Sequence, residues 1–314
     1  MKSVATHWGN RASGAALAAF LLSQSFAPAA ATGTDCLQTD AALNYWRPIH
    51  EQAKTSQEPA DGLALELTSC LASPNPELRD RIAYELLTYW LRNEKITDDT
   101  RRTLLKRLTT TMGQFPPVDS DSAALARSFS ALILSELMRS DSNQPFMTDL
   151  ERQALLDAAV RSLGQEQEYR GLDSELGWVH PVAHMSDLLW RFALHSGTSD
   201  TQAAAILAGV RSKVAPTSTF YNFNESDRLA RVITTMITRE LLAPDTIVAW
   251  LASFEQPSSM QKWSDAFSSP QGMAELHNTK LFLRALADQI DGSQVDASIS
   301  NSLDQLVQGF TQLI

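Results

Sequence analysis

Backbone punctuation is scarce in this chain, with 13 glycines and 13 prolines among 314 residues. A sandwich or barrel that turns every ten residues or so needs more, whereas long helices do not. Positive charge is also short. Twenty-six Lys and Arg face 36 Asp and Glu, giving a net charge of −10 and a pI of about 5.1. No global positive field exists to hold a phosphate backbone, which argues against nucleic acid as a partner. There is no Gly-rich phosphate loop, no Gly-x-Ser-x-Gly elbow and no His-Glu-x-x-His zinc motif. Beyond the N-terminus no apolar run reaches the roughly 20 residues of a spanning helix, so no membrane span is expected. What is present is ample apolar material, 44% of residues, which sets the chain apart from disordered ones.

The N-terminus has three unlike parts. Lys2 and Arg11 give a positive start, residues 12–22 form an uncharged apolar run, and Ala27-Pro28-Ala29-Ala30-Ala31 is rich in small residues. This is the order of a cleaved secretory signal peptide over residues 1–31. Ala29 and Ala31 suit the positions before the cut, leaving Thr32 as the new start and a single helical domain over 32–314. The protein is then expected to be exported, to the periplasm or beyond the cell, and two charges more acidic. Only two cysteines exist, Cys36 and Cys70, both in the mature chain. An oxidising compartment favours their pairing as a disulfide between the first helix and the next. Two unrelated buried thiols are the alternative, since spacing does not give a distance.

The apolar period is helical nearly throughout. Leu78, Ile82, Leu86 and Trp90 fall four apart in a helix expected over 77–92, and Leu125, Phe129, Leu132, Ile133 and Leu137 repeat the plan over 122–139. Thr148–Glu151 and Ser199–Gln202 read as capping boxes, and Pro244 suits a first helical turn. Thr217–Phe223 is the one strand-like piece and reads better as loop. Short joints at 93–96, 113–121 and 140–145 imply antiparallel helical hairpins. Arg79–Leu87 is echoed by Arg127–Leu134, 48 residues on, and more faintly near Arg231 and Arg284, a spacing slightly over the HEAT or armadillo range. The expected fold is all-α, a HEAT/armadillo-like α-α superhelix of stacked hairpins; an irregular helical bundle is the alternative.

Several segments together carry a family resemblance. They are Leu78-Arg79-Asp80, Ser120-Asp121-Ser122, Arg127–Ala131, Pro145-Phe146-Met147, Arg170-Gly171, the block Gly177-Trp178-Val179-His180-Pro181-Val182-Ala183-His184, Asp187–Leu189 and Asp227–Ala230. In this order and spacing the chain, over roughly residues 60–245, resembles the bacterial family called domain of unknown function 2785. The resemblance implies an all-helical, HEAT-like fold and no particular reaction.

Chemistry is most concentrated just there. His180, His184, Asp187 and Arg191 lie at steps of four, three and four, so they share about 60° of a helix face. Val182, Met185, Leu189 and Phe192 fall on the opposite, inward side. Pro181 makes His180 the expected N-cap. Two imidazoles and a carboxylate could hold a divalent metal, completed by Asp173, Glu175, Glu225 or Asp227, or His184 oriented by Asp187 could act as a base. The plainer reading has His180 capping its helix and Asp187 pairing with Arg191. Arg170, Asp173 and Trp178 on the preceding loop join His180, His184 and Asp187 as candidate binding residues, with Trp178 as a wall and Gly171 and Gly177 permitting close turns. The basic run Arg101-Arg102 to Lys106-Arg107 reads as a solvated face. The favoured function is an exported helical scaffold that binds a protein, peptide or cell-envelope component. The alternative is a metal-dependent hydrolase or other enzyme using His180, His184 and Asp187.

Overall fold

Helix start signals in the sequence are used where they stand. The computed structural model describes Cys36, residues 39–56 and residues 58–313; residues 1–31, expected as a signal peptide, and Thr32 lie outside the described residues. The helices are α1 (Thr39–Gln52), α2 (Asp61–Leu67), α3 (Glu85–Arg92), α4 (Asp98–Met112), α5 (Asp121–Asn143), α6 (Asp149–Gln165), α7 (Pro181–Leu194), α8 (Asp200–Arg211), α9 (Glu225–Thr238), α10 (Pro244–Ala252), α11 (Pro270–Ile290) and α12 (Ala297–Gln312). Thr148 and Glu151 close a reciprocal capping box on α6, and Ser199 and Gln202 do the same on α8. Each satisfies two orphan backbone N–H groups at once. Pro244 occupies the first turn of α10, where its missing N–H costs nothing.

The helix expected over 77–92 is present but changes character. Glu77–Tyr84 is a π-helical stretch that runs into α3. Among the described residues strand is confined to a two-residue ribbon in which β1 (Leu172–Asp173) pairs antiparallel with β2 (Gly177–Trp178), while Thr217–Phe223 is irregular. No helix among the described residues is long and apolar enough to cross a membrane.

Helices pack on their second neighbours as well as their first. α3, α5, α7, α9 and α11 touch in succession, and α2, α4, α6 and α8 do likewise. α5 and α7 therefore lie in the middle, where a helix loses its solvated face. Pro181–Leu189 is buried at every position, so the expected division of α7 into an inward apolar stripe and an open polar stripe does not hold. α5 buries Arg127, Ser128, Glu136 and Asp141.

Buried charge survives only where it is paired. Arg127 donates to Glu166 at 3.1 Å, with both side chains about 1% exposed, and to Asp119 at 2.9 and 2.5 Å. Asp141 accepts from the Phe146 and Met147 amides at 2.8 and 2.7 Å and from Arg152 at 2.9 Å. Burial works against its ionisation, yet His195, these amides and Arg152 hold its carboxyl at about 2. The basic run on α4 is not simply solvated. Arg101 is buried between Asp98 and Gln144, and Arg102 and Arg107 reach across to the carbonyls of Phe146 and Leu65.

Cys36 and Cys70 form a disulfide with Cα atoms 4.9 Å apart. It ties the segment before α1 to the turn Thr68–Ala72 after α2, rather than helix to helix. Closing a loop of 34 residues restricts the unfolded chain by about 3–4 kcal/mol in the chain-entropy model. Urea unfolding of Cys70→Ser, or of the reduced protein, is expected to show a loss of that order. An unchanged midpoint would refute the contribution.

Candidate functional site

The chain enters α7 through a tightly specified loop. Asp173 accepts from the amides of Glu175 and Leu176 at 2.9 and 3.0 Å, which sets the turn between β1 and β2. Gly177 follows at φ +68°, a conformation that glycine adopts without penalty. At Gly171 the backbone lies against the Phe223 ring so closely that any Cβ would overlap it. Backbone bonds from Val179 to Gly171 and from His180 to Arg170, at 2.9 and 3.0 Å, complete the ribbon.

Arg79 clasps this ribbon from the π-helical stretch. Its side chain is 0% exposed and donates to the carbonyls of Leu176 at 2.7 Å, Trp178 at 3.2 Å and Ser73 at 3.1 Å. It also forks onto Asp80 at 2.7 and 3.2 Å and sits 4.7 Å above the Phe129 ring. One guanidinium thus fixes the height of Trp178 and the direction in which His180 leaves the ribbon.

His180 is the residue before α7, as its proline neighbour implies, but it does not cap the helix. Its φ is +50°, in the left-handed region, and its side chain makes no cap hydrogen bond. A non-glycine residue there costs roughly 1–2 kcal/mol, which the surrounding contacts offset. The ring turns instead to the Phe223 carbonyl, to which Nε2 donates at 2.7 Å, with Glu225 3.7 Å away. Trp178 stacks on it at 5.0 Å and 25°, and the His184 ring lies 5.9 Å off.

The protons on both imidazoles follow from fixed acceptors. A carbonyl only accepts, so His180 carries its proton on Nε2 and keeps a lone pair on Nδ1. Ser128 gives its hydroxyl proton to the Val179 carbonyl and therefore accepts at 2.8 Å from His184 Nδ1. That leaves the lone pair of His184 on Nε2. The same geometry removes Ser128 as a nucleophile, because its proton is committed away from the imidazole. Burial above all, then His180, Arg228 and Arg79, pushes the His184 pKa well below the ordinary imidazole value. Burial also lowers that of His180 against the pull of Glu225. Two neutral rings are the result.

Of the residues singled out by sequence, the structure brings together Trp178, His180 and His184. Asp187 is engaged elsewhere, held by Arg228 at 2.6 Å and by Arg231, both from α9, and not by Arg191. Arg170 pairs with Glu168 at 2.9 Å and Asp121 at 2.8 Å, and Asp173 serves its own turn. His195 lies at the far end of α7, 3.4 Å from Asp141. Among the described residues no group of three His, Cys, Asp or Glu side chains is placed to hold a metal ion. Arg79, Ser128 and Phe223 escaped sequence reasoning as site residues, and Arg79 stood in plain view within the Leu78-Arg79-Asp80 segment.

The fold and site together define an all-helical protein in which a clasped loop presents a stacked Trp–His pair at the start of a buried helix. The chain belongs to the family described as protein of unknown function (DUF2785), whose model matches residues 114–287. The match takes in the whole Trp178–His184 block and the α9 arginines, but begins after Arg79. No curated protein and no solved structure matches the chain.

Removing the His184 ring leaves Ser128 without its donor, so His184→Ala should destabilise by about 1–3 kcal/mol. A lowered folded-state pKa also sets a pH dependence. The unfolded imidazole takes up a proton near pH 6.5 while the folded one does not. The stabilisation is therefore complete above that pH and is lost as the pH falls toward the folded value. Thermal unfolding between pH 7.5 and 5 (roughly one unit either side of the free value) should show a flatter slope for His184→Gln than for the wild type. Equal slopes would contradict a buried neutral His184.

Proposed function

We propose that the chain is an exported, HEAT-like helical scaffold whose function is binding, and that the face around Trp178 contacts its partner, a protein or peptide of the cell envelope. The observation that carries this reading is the exposure of Trp178. Trp178 is 42% exposed although Arg79 holds its backbone carbonyl and its ring stacks on His180. Phe223, 6.1 Å away and edge-on, and Leu172, its partner across the ribbon, are also exposed. A pre-ordered aromatic at low entropic cost is what contact hot spots use. The second-neighbour packing of the helices supports the HEAT-like arrangement. Export is supported by the three-part N-terminus and by the Cys36–Cys70 disulfide.

The reading against which this stands is an enzyme built on His180, His184 and Asp187. The engagement of Asp187 by Arg228 and Arg231 weighs against that set acting together.

A photo-crosslinking amino acid placed at 178 in the full chain, expressed with its own N-terminus, tests the proposal directly. A discrete adduct is expected from position 178 and none from the exposed control Leu150, with N-terminal sequencing giving Thr32 as the first residue. Trp178→Ala should abolish a crosslink placed at Leu172 while leaving the melting temperature near that of the wild type. Identical adducts from 150 and 178, or retention of Met1, would overturn the reading.

A further inference from the structure

The chain as a whole is short of positive charge, yet one region has it in excess. Along the successively packed helices α3, α5, α7 and α9 stand Arg92, Arg139, Arg191, Arg228 and Arg231, and the carboxylates set against them are Glu136 and Asp187. Both carboxylates are already used. Glu136 accepts a two-pronged contact from Arg92 at 2.7 and 2.6 Å, and Asp187 bridges Arg228 and Arg231.

Arg191 is left over. Its side chain is 20% exposed and comes no nearer to Glu136 than 3.8 Å. It makes no hydrogen bond to any described residue. The neighbouring Arg231 keeps a buried Nε–H that has no acceptor. Trp190 meets both groups, its ring centre 4.5 Å from the Arg191 guanidinium and 4.0 Å from that of Arg231, and its own N–H is fixed by Thr235 at 3.0 Å. The ring aligns both forks while giving them no acceptor. The buried Arg231 Nε–H is thus a donor left unfilled within the protein, and such a group is costly unless something fills it.

We propose that Arg191, with Arg228 and Arg231, binds the phosphate group of a small soluble phosphate ester or pyrophosphate. The planar fork of arginine matches a phosphate's paired oxygens, and several convergent guanidinium groups match its multiple charge. Glu136 and Asp187 leave these five arginines with net positive charge, and a single carboxylate would cancel less of it than a phosphate. The partial burial of Arg191 suits a small molecule entering between helices rather than a flat anionic surface. Burial first, and the neighbouring arginines after Glu136, set the balance that lowers the Arg191 pKa, consistent with a group lacking sufficient counter-charge. The site lies toward the far end of α7 from Trp178 and does not rest on the binding role given to that residue.

Calorimetric titration of the mature full-length protein in chloride buffer tests this with inorganic pyrophosphate, inorganic phosphate and citrate as probes. Pyrophosphate is expected to bind more tightly than phosphate, with citrate weaker than both. Arg191→Gln should weaken pyrophosphate by about tenfold or more, equivalent to about 1.4 kcal/mol, and Arg191→Lys by less. The anion-free melting temperature of Arg191→Gln should be unchanged or raised, because an uncompensated charge has been removed. Trp178→Ala and the surface variant Lys106→Gln should leave pyrophosphate binding intact, so this proposal and the Trp178 reading can fail separately. Absence of pyrophosphate binding at millimolar concentration, binding that survives Arg191→Gln, or a preference for citrate would each overturn it.

Discussion

The Arg79 guanidinium is the contact on which the candidate site depends. It is fully buried, so its charge must be balanced within the protein, and its donors join Asp80, the turn at Ser73 and the ribbon. Asp80 takes the charge, Ser73 ties down the preceding turn, and Leu176 and Trp178 offer the carbonyls of the ribbon. The Phe129 ring closes the remaining face and places α5 against the clasp. Phe129 also meets His184 edge-on at 5.1 Å, so the same ring touches the clasp and the site. Without Arg79 three carbonyls would need other donors in a region where water has little access.

α7 links three polar networks along its length. Its start carries the Trp178–His180–His184 cluster, its middle presents Asp187 to Arg228 and Arg231, and the residue after its end, His195, meets Asp141. These networks are electrostatically connected. Arg79 and Arg228 both oppose a proton on His184, so the arginines that build the surroundings also help keep that imidazole neutral. The stretch Pro181–Leu189, buried at every position, can hold a histidine and a carboxylate, with His180 just before it, only because each has a partner reaching in from α5, α9 or the 220s loop.

Much of this architecture was legible in the sequence, for local reasons. A capping box needs only residues three apart, so Thr148 and Ser199 announced their helices, and the four-residue apolar step announced 77–92 and 122–139. The family resemblance rested on the Gly177–His184 block, which lies within the matched residues. What could not be read is what depends on distant partners. Arg101 looked solvated because charge alone carries no information about Gln144, 43 residues on. Asp187 looked available to the histidines or to Arg191, while its partners lie 41 and 44 residues away. His180 was legible as the residue that starts α7, but its left-handed backbone follows from the Phe223 carbonyl, which only the tertiary fold supplies. The ribbon itself, two residues per strand, is too short for any alternation to register.

Amide hydrogen exchange on Arg79→Met offers the most direct test of the clasp. The substitution keeps the length and apolar stem of the side chain while removing every donor. Loss of a partly buried ion pair and its carbonyl contacts should cost about 2–3 kcal/mol, after allowing for the solvent that reaches Asp80. That loss should fall locally, since segments open with their own free energies. The amides of Val179 and His180, which donate to Gly171 and Arg170, are predicted to lose protection while those in the middle of α5 and α11 keep most of theirs. Protection at 179 and 180 unchanged from the wild type would contradict the dependence of the site on Arg79.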